Sequence, residues 1–80
     1  MNKNNKIEKI FCEIMGLKNT PKNFDKMKIG GITQWDSLAN MNLLMALEQA
    51  YSIRLSLVEM TEISSIEKIK LKFLKKNKNL

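Results

Sequence analysis

The chain has 80 residues, a net charge of +6 and an apolar fraction of 44%. This length allows one small domain with its own core. A single cysteine and no histidine exclude an intrachain disulfide, a Cys/His metal cluster and every Ser-His or Cys-His nucleophile pairing. A chain this short also has little room for a deep pocket, so the protein is expected not to be an enzyme itself. The N-terminal stretch is polar, and Glu8 and Glu13 interrupt the first apolar residues. Neither a secretory signal nor a membrane span is expected there, and a cytoplasmic location is.

The first helix is expected from about Asn4 to Met15. Ile7, Ile10, Phe11 and Ile14 recur at i, i+3, i+4 and i+7, and Gly16 comes next as a stop. Cys12 lies off that stripe and reads as a partly exposed thiol with nothing nearby to activate it. From Gly16 to Trp35 the helical period disappears, with Pro21, Gly30 and Gly31 as punctuation. A connection of this length is either functional or packed by its own side chains. Leu17, Phe24, Met27 and Ile29 favour packing, with room for one short helical turn.

A second helix is expected to begin at Asp36 or Ser37 and run to about Tyr51. At about 100° per residue, Leu43, Leu44, Leu47, Ala50 and Tyr51 share one face, the natural core face. Leu38, Met41 and Met45 fall on the opposite face beside Glu48. A helix buried on both sides would show this pattern, and so would a surface that meets partners. Ser56 stands three residues before Glu59, and Ser64 three before Glu67. Both spacings fit a capping box and predict a short third helix over Leu57 to Glu62 and a fourth over Ser65 to Lys75. Ile66, Ile69 and Phe73 are its buried stripe, and the stem of Lys70 can lie along the stripe's edge. The expected fold is all-α: a small four-helix bundle with a short third helix and a long first loop. It makes one domain, ordered over about 4–75, with a frayed tail.

The charge is unevenly distributed. Seven lysines face three carboxylates up to Trp35, Arg54 faces four carboxylates between Asp36 and Ile63, and six lysines face Glu67 thereafter. Basic ends therefore flank an acidic middle.

Asp36 and Ser37 at a helix start have a plain explanation, since both side chains can accept the first turn's free N–H groups. Ser37 has no local base and cannot activate itself. Taken with Asp36-Ser37-Leu38, however, the residues Leu43, Leu44, Leu47-Glu48, Tyr51, Ile53, Leu55, Glu59, Ile63, Ser64 and Ile66 resemble the acyl carrier protein family. The resemblance spans about Ile7 to Phe73, and Trp35 before the motif looks like certain stand-alone carriers outside primary fatty-acid synthesis.

The resemblance implies that Ser37 receives a 4′-phosphopantetheine arm from coenzyme A, attached by a separate phosphopantetheinyl transferase. It implies that the arm's thiol holds an acyl or aminoacyl cargo as a thioester. Asp36 would help the transferase recognise its target, and Leu38, Met41, Met45, Glu48 and Glu59 would form the face that docks partners. Those partners are the transferase, a loading enzyme and a downstream acyltransferase or synthase. Neither nucleic acid nor membrane is among them, and the carrier is expected to be a monomer. Weak, fast docking steered by charge suits such a shuttle, and the acidic middle agrees with it.

The chain also departs from the family pattern. Asn42, Gln49 and Ala50 stand where carriers commonly have acidic residues, leaving Glu48 alone in the body of the second helix. This points to a dedicated pathway, such as nonribosomal, polyketide-like or surface-glycan acylation, rather than the general carrier of fatty-acid synthesis. Two alternatives remain. One is a carrier-like protein that never receives an arm, against which the intact Asp36-Ser37-Leu38 speaks. The other is a small basic helical nucleic-acid binder, against which the dispersed lysines and few aromatic residues speak.

Overall fold

Helix α1 (Asn4–Met15) places Ile7, Phe11 and Met15 inside, a spacing of four that drifts slowly around the helix. The expected stripe is therefore corrected at its end. Ile14 is 37% exposed and Ile10 is half-buried, while Met15 takes the inner position. Gly16 ends the helix with φ +71°, a left-handed conformation open to glycine at little steric cost. The Leu17 N–H then reaches back to the Cys12 carbonyl at 2.8 Å.

The computed structural model describes the backbone of residues 4–76 and the side chains of residues 6–74. Three more helices come after α1: α2 (Ser37–Tyr51), α3 (Leu57–Glu62) and α4 (Ile66–Lys76), with a 3-10 turn at Phe24–Lys26 inside the long loop. No strand forms among the described residues. The starts and ends expected for the first three helices agree with these bounds. Helix α4 begins one residue later than expected and runs through Lys76. The rest of the expected frayed tail, 77–80, lies outside the described residues.

The core runs through every helix except α3. Leu43, Leu44 and Leu47 of α2 are fully buried, as are Ile66, Ile69 and Phe73 of α4. Each is worth about 1.5–3 kcal/mol relative to an exposed side chain. Ala50 and Tyr51 are only half-buried, so the inner stripe of α2 weakens towards its C-terminal end. The radius of gyration is 11.7 Å, close to the roughly 12 Å of a compact chain this long.

Capping obeys local chemistry, with one correction. Ser56 and Glu59 form the expected reciprocal box: the Glu59 N–H donates to Ser56 Oγ at 3.0 Å, and the Ser56 N–H to Glu59 Oε1 at 2.9 Å. At α4 the hydroxyl accepting the first turn's N–H is that of Ser65, from Lys68 at 3.2 Å. Ser64 and Glu67 do not form a box. The Ser64 carbonyl instead accepts the Ile29 N–H at 2.8 Å, which ties this junction to the long loop and starts the helix one residue later.

Lys70 behaves as expected of an edge lysine. Its Nζ pairs with Asp25 and lies 5.7 Å from the centre of the Phe24 ring, and the residue as a whole is half-buried. Cys12 is free and half-buried, with its sulfur 3.7 Å from Thr20 Oγ1. Among the described residues no helix is long and apolar enough to cross a membrane, and no group of side chains could hold a metal ion.

Candidate functional site

The residues before Ser37 lack a regular period but not order. Phe24 and Met27 are buried. The loop is pinned to the start of α4 by two backbone bonds, Ile29 N–H to the Ser64 carbonyl and Ile66 N–H to the Met27 carbonyl at 3.0 Å. Gly30 then turns the chain with φ +90° and donates its N–H to the Trp35 carbonyl at 2.9 Å. A side chain at Gly30 would meet no atom, so the backbone angle, not space, demands glycine there.

Trp35 is fully buried. Its ring meets Phe11 edge-on, centres 5.1 Å apart and planes at 77°, and Phe11 meets Phe24 in the same way at 5.3 Å. A buried indole N–H needs an acceptor, and it finds Asn40 Oδ1 at 3.0 Å. The Asn40 amide nitrogen in turn donates to the Ile63 carbonyl at 2.8 Å. Asn40 therefore joins the end of the loop, the first turns of α2 and the residue that closes α3. With both ends of its amide paired it is an inexpensive buried polar group, and it fixes the direction in which α2 leaves the loop.

Sequence reasoning did not single out Asn40. The available signal is its register: it lies three and four residues before Leu43 and Leu44, on the inward face of α2. An amide in that position must find partners inside.

Asp36 is the N-cap of α2 in extended conformation, and its Oδ1 accepts the Ala39 N–H at 2.8 Å. Ser37 is the first helical residue and is exposed. No hydrogen bond engages its hydroxyl among the described residues, because Asp36 supplies the cap. The chain has no histidine to deprotonate it. It stands as an accessible alcohol on a fixed base, open to chemistry brought by another molecule.

The residues expected to dock partners divide into two groups. Leu38 is 72% exposed and Met45 54% exposed, while Met41 is half-buried. Leu38 and Met45 thus face outward, and with Met41 only half-buried the outer stripe of α2 is not a second fully buried side. Met45 and Glu48 line an open depression with Ile53, Arg54, Leu55 and Met60, at the C-terminal half of α2 beside α3.

The two glutamates, however, have internal bonds. Glu48 Oε2 accepts the Leu55 N–H at 2.7 Å. Glu59 belongs to the α3 capping box, and its Oε2 also receives Lys72 Nζ at 3.1 Å. Sequence reasoning did not foresee the exposure of Leu57 and Val58 on α3, at 70% and 66%. A helix of this length with two consecutive large apolar residues and no buried side chain offers no periodicity from which an outward face could be read.

At the far end of α2, Tyr51 packs on Phe73 with ring centres 5.7 Å apart. Lys6 donates to the Ala50 carbonyl at 2.8 Å and lies 4.6 Å over the Tyr51 ring. The tyrosine hydroxyl is buried with no hydrogen-bond partner among the described residues, and burial raises its pKa above the ordinary 10.0.

No protein-family model matches the chain, and no curated protein or solved structure is significantly similar to it.

Proposed function

We propose that this protein is an acyl or aminoacyl carrier, modified on Ser37 with 4′-phosphopantetheine and serving a dedicated biosynthetic pathway, with its four helices arranged as a small bundle. The observation that carries the proposal is the setting of Ser37. It is an exposed hydroxyl at the first position of α2, directly after a capping aspartate. Behind it stands a rigid lock of Trp35, Asn40 and the Ile63 carbonyl.

The residues fit the arm. A serine attached to phosphate needs access from outside, a fixed backbone beneath it and no competing internal bond. Ser37 meets these conditions because Asp36, not Ser37, accepts the first turn's N–H. The adjacent helix N-terminus favours the negative charge of a phosphodiester. When bound, the arm supplies a thiol on which cargo is held as a thioester. The chain's own residues hold the attachment point, orient it outward and offer a docking face. Catalysis is left to the transferase, the loading enzyme and the enzyme that takes the cargo, as the lack of histidine in the chain suggests.

Incubation with coenzyme A, magnesium and a broad-specificity phosphopantetheinyl transferase is expected to add one phosphopantetheine mass, and Ser37→Ala to abolish the gain. A wild-type chain that gains nothing from a transferase active on a control carrier would reject the proposal.

A further inference from the structure

We infer that the basic side of this protein, where α4 meets the long loop, binds reversibly to an anionic lipid surface, with Leu71 as its apolar point of contact. This contact adds a partner to those the carrier reading implies, and it does not depend on Ser37.

The surface is built outward from α4. Ile66, Ile69 and Phe73 are fully buried, so that stripe is committed to the core and only the outer side of the helix is free to meet another body. At about 100° per residue, Leu71 lies almost opposite the buried stripe, and it is 61% exposed. Lys68, one turn earlier on the same side, is exposed as well. Leu71 and the half-buried Leu74 line an open depression together with Asp25, Lys26, Glu67 and Lys70. A second depression shares Asp25, Lys26 and Glu67 with the first and adds Lys28 and Lys68. The two backbone bonds that join Met27 and Ile29 to the start of α4 hold the loop there. Lysines some forty residues apart in the chain are thus gathered around one exposed leucine.

The charge of this side is positive. Lys70 and Asp25 form an ion pair and balance each other. Lys26, Lys28 and Lys68, all exposed, then stand against Glu67 alone, and α4 runs on through Lys75 and Lys76. An anionic bilayer attracts such a cluster once it comes within about a Debye length. Leucine decides between a bilayer and other polyanions. A bilayer offers acyl chains to Leu71 just below the headgroups that meet the lysines, whereas a nucleic-acid backbone offers it nothing. Every aromatic ring of the chain is buried or half-buried, so none stands beside these lysines for a base to stack on. One leucine and a few lysines make a weak attachment, since a stable one needs a second anchor.

The test mixes the full chain with vesicles of phosphatidylcholine, alone or with about 30% phosphatidylglycerol as the anionic lipid, and measures the bound fraction by sedimentation. Binding is expected only to the anionic vesicles, falling at least about tenfold between about 50 and about 500 mM salt. Lys26→Gln/Lys28→Gln/Lys68→Gln is expected to weaken binding at least about tenfold, and Leu71→Ser about fivefold. All four side chains are exposed, so helical content should stay unchanged. Leu71→Ser keeps the test decisive should the triple variant fail to fold. Ser37→Ala is expected to bind as well as the wild type.

No binding to the anionic vesicles at about 50 mM salt, where charges are least screened, would overturn the inference. So would a folded Leu71→Ser or triple variant that binds as well as the wild type. Tighter binding to a short DNA duplex at the same phosphate concentration would overturn it in favour of a nucleic-acid partner. A chain that gains no phosphopantetheine rejects the carrier reading and leaves this contact standing.

Discussion

The stretch before α2 has one 3-10 turn and no longer element, yet it buries Phe24, Met27 and Trp35. Helix α3, on the other side of α2, is regular from end to end and buries no side chain. The loop is tied down by the bonds of Met27, Ile29 and Trp35 to α4 and Asn40. The helix is held by its capping box, by Lys72 reaching Glu59, by the half-buried Met60 on the core and by the Asn40 bond to the Ile63 carbonyl at its end. A hydrogen-bonded ladder therefore tells little about which of the two segments is the more firmly held. Local stability depends on buried apolar contact and paired polar groups, and by both measures the irregular segment is the better anchored. Ser37 sits on that side, which suits the attachment point proposed above.

Trp35→Ala gives the largest expected break in this contrast. It removes a fully buried aromatic side chain and leaves Asn40 Oδ1 without its donor, so a loss of about 3–5 kcal/mol is expected. Against about 5–15 kcal/mol for a single small domain, such a loss removes a large share of the stability. Leu57→Ala, on the exposed side of α3, is expected to stay within about 0.5 kcal/mol of the wild type. Urea denaturation with equal m-values compares the two directly. If both variants shift the midpoint equally, the loop and α3 do not differ as described.

Most of this architecture is legible in the residues, and the exceptions share a cause. The bounds of α1, α2 and α3 come from apolar spacing, Gly16, Asp36 and the Ser56/Glu59 pair, all signals that act within a few residues. The mistakes concern partners distant in the chain. Ile14 gives way to Met15 because α2 and the loop decide which side of α1 is covered. Ser64 yields its cap to Ser65 because its carbonyl is claimed by Ile29. The bonds of Glu48 to Leu55 and of Glu59 to Lys72, which leave the reading of both as docking residues untouched, likewise come only from the fold. At the site, Ser37 and Asp36 are visible from a local motif. Asn40 is not, since its value lies in bonds to Trp35 and to Ile63, 23 residues away.

A smaller effect is expected at the start of α3. Ser56→Ala removes the hydroxyl that accepts the Glu59 N–H, and the loss of a capping side chain costs about 1 kcal/mol. The consequence should stay local. Hydrogen exchange is expected to speed up at the amides of Glu59 and Met60 while those of Trp35 and Asn40 keep their protection. Equal acceleration at all four would mean that α3 and the loop open as one unit, which would refine the contrast into a single cooperative block.

The smallest expected effect lies at the C-terminal end of α2 and emerges only in alkali. Tyr51 keeps its hydroxyl buried with no partner among the described residues, and burial raises its pKa above 10.0. Between that ordinary value and the raised one, the unfolded chain has released the proton while the folded chain still holds it. Rising pH therefore favours unfolding. This contribution is fully present below about pH 10 and is lost as the pH climbs through the folded-state value. Tyr51→Phe keeps the ring against Phe73 and removes only the unpaired hydroxyl. At neutral pH the variant is expected to match the wild type within about 0.5 kcal/mol or slightly exceed it, because no hydrogen bond is lost. Above about pH 10 it should hold its urea midpoint better than the wild type. Lysine titration in the same range is common to both proteins and cancels in the difference, so the gap between the two midpoint curves reports the tyrosine alone. If that gap does not widen with pH, the phenol is already reached by water, and this end of α2 is as loosely packed as α3.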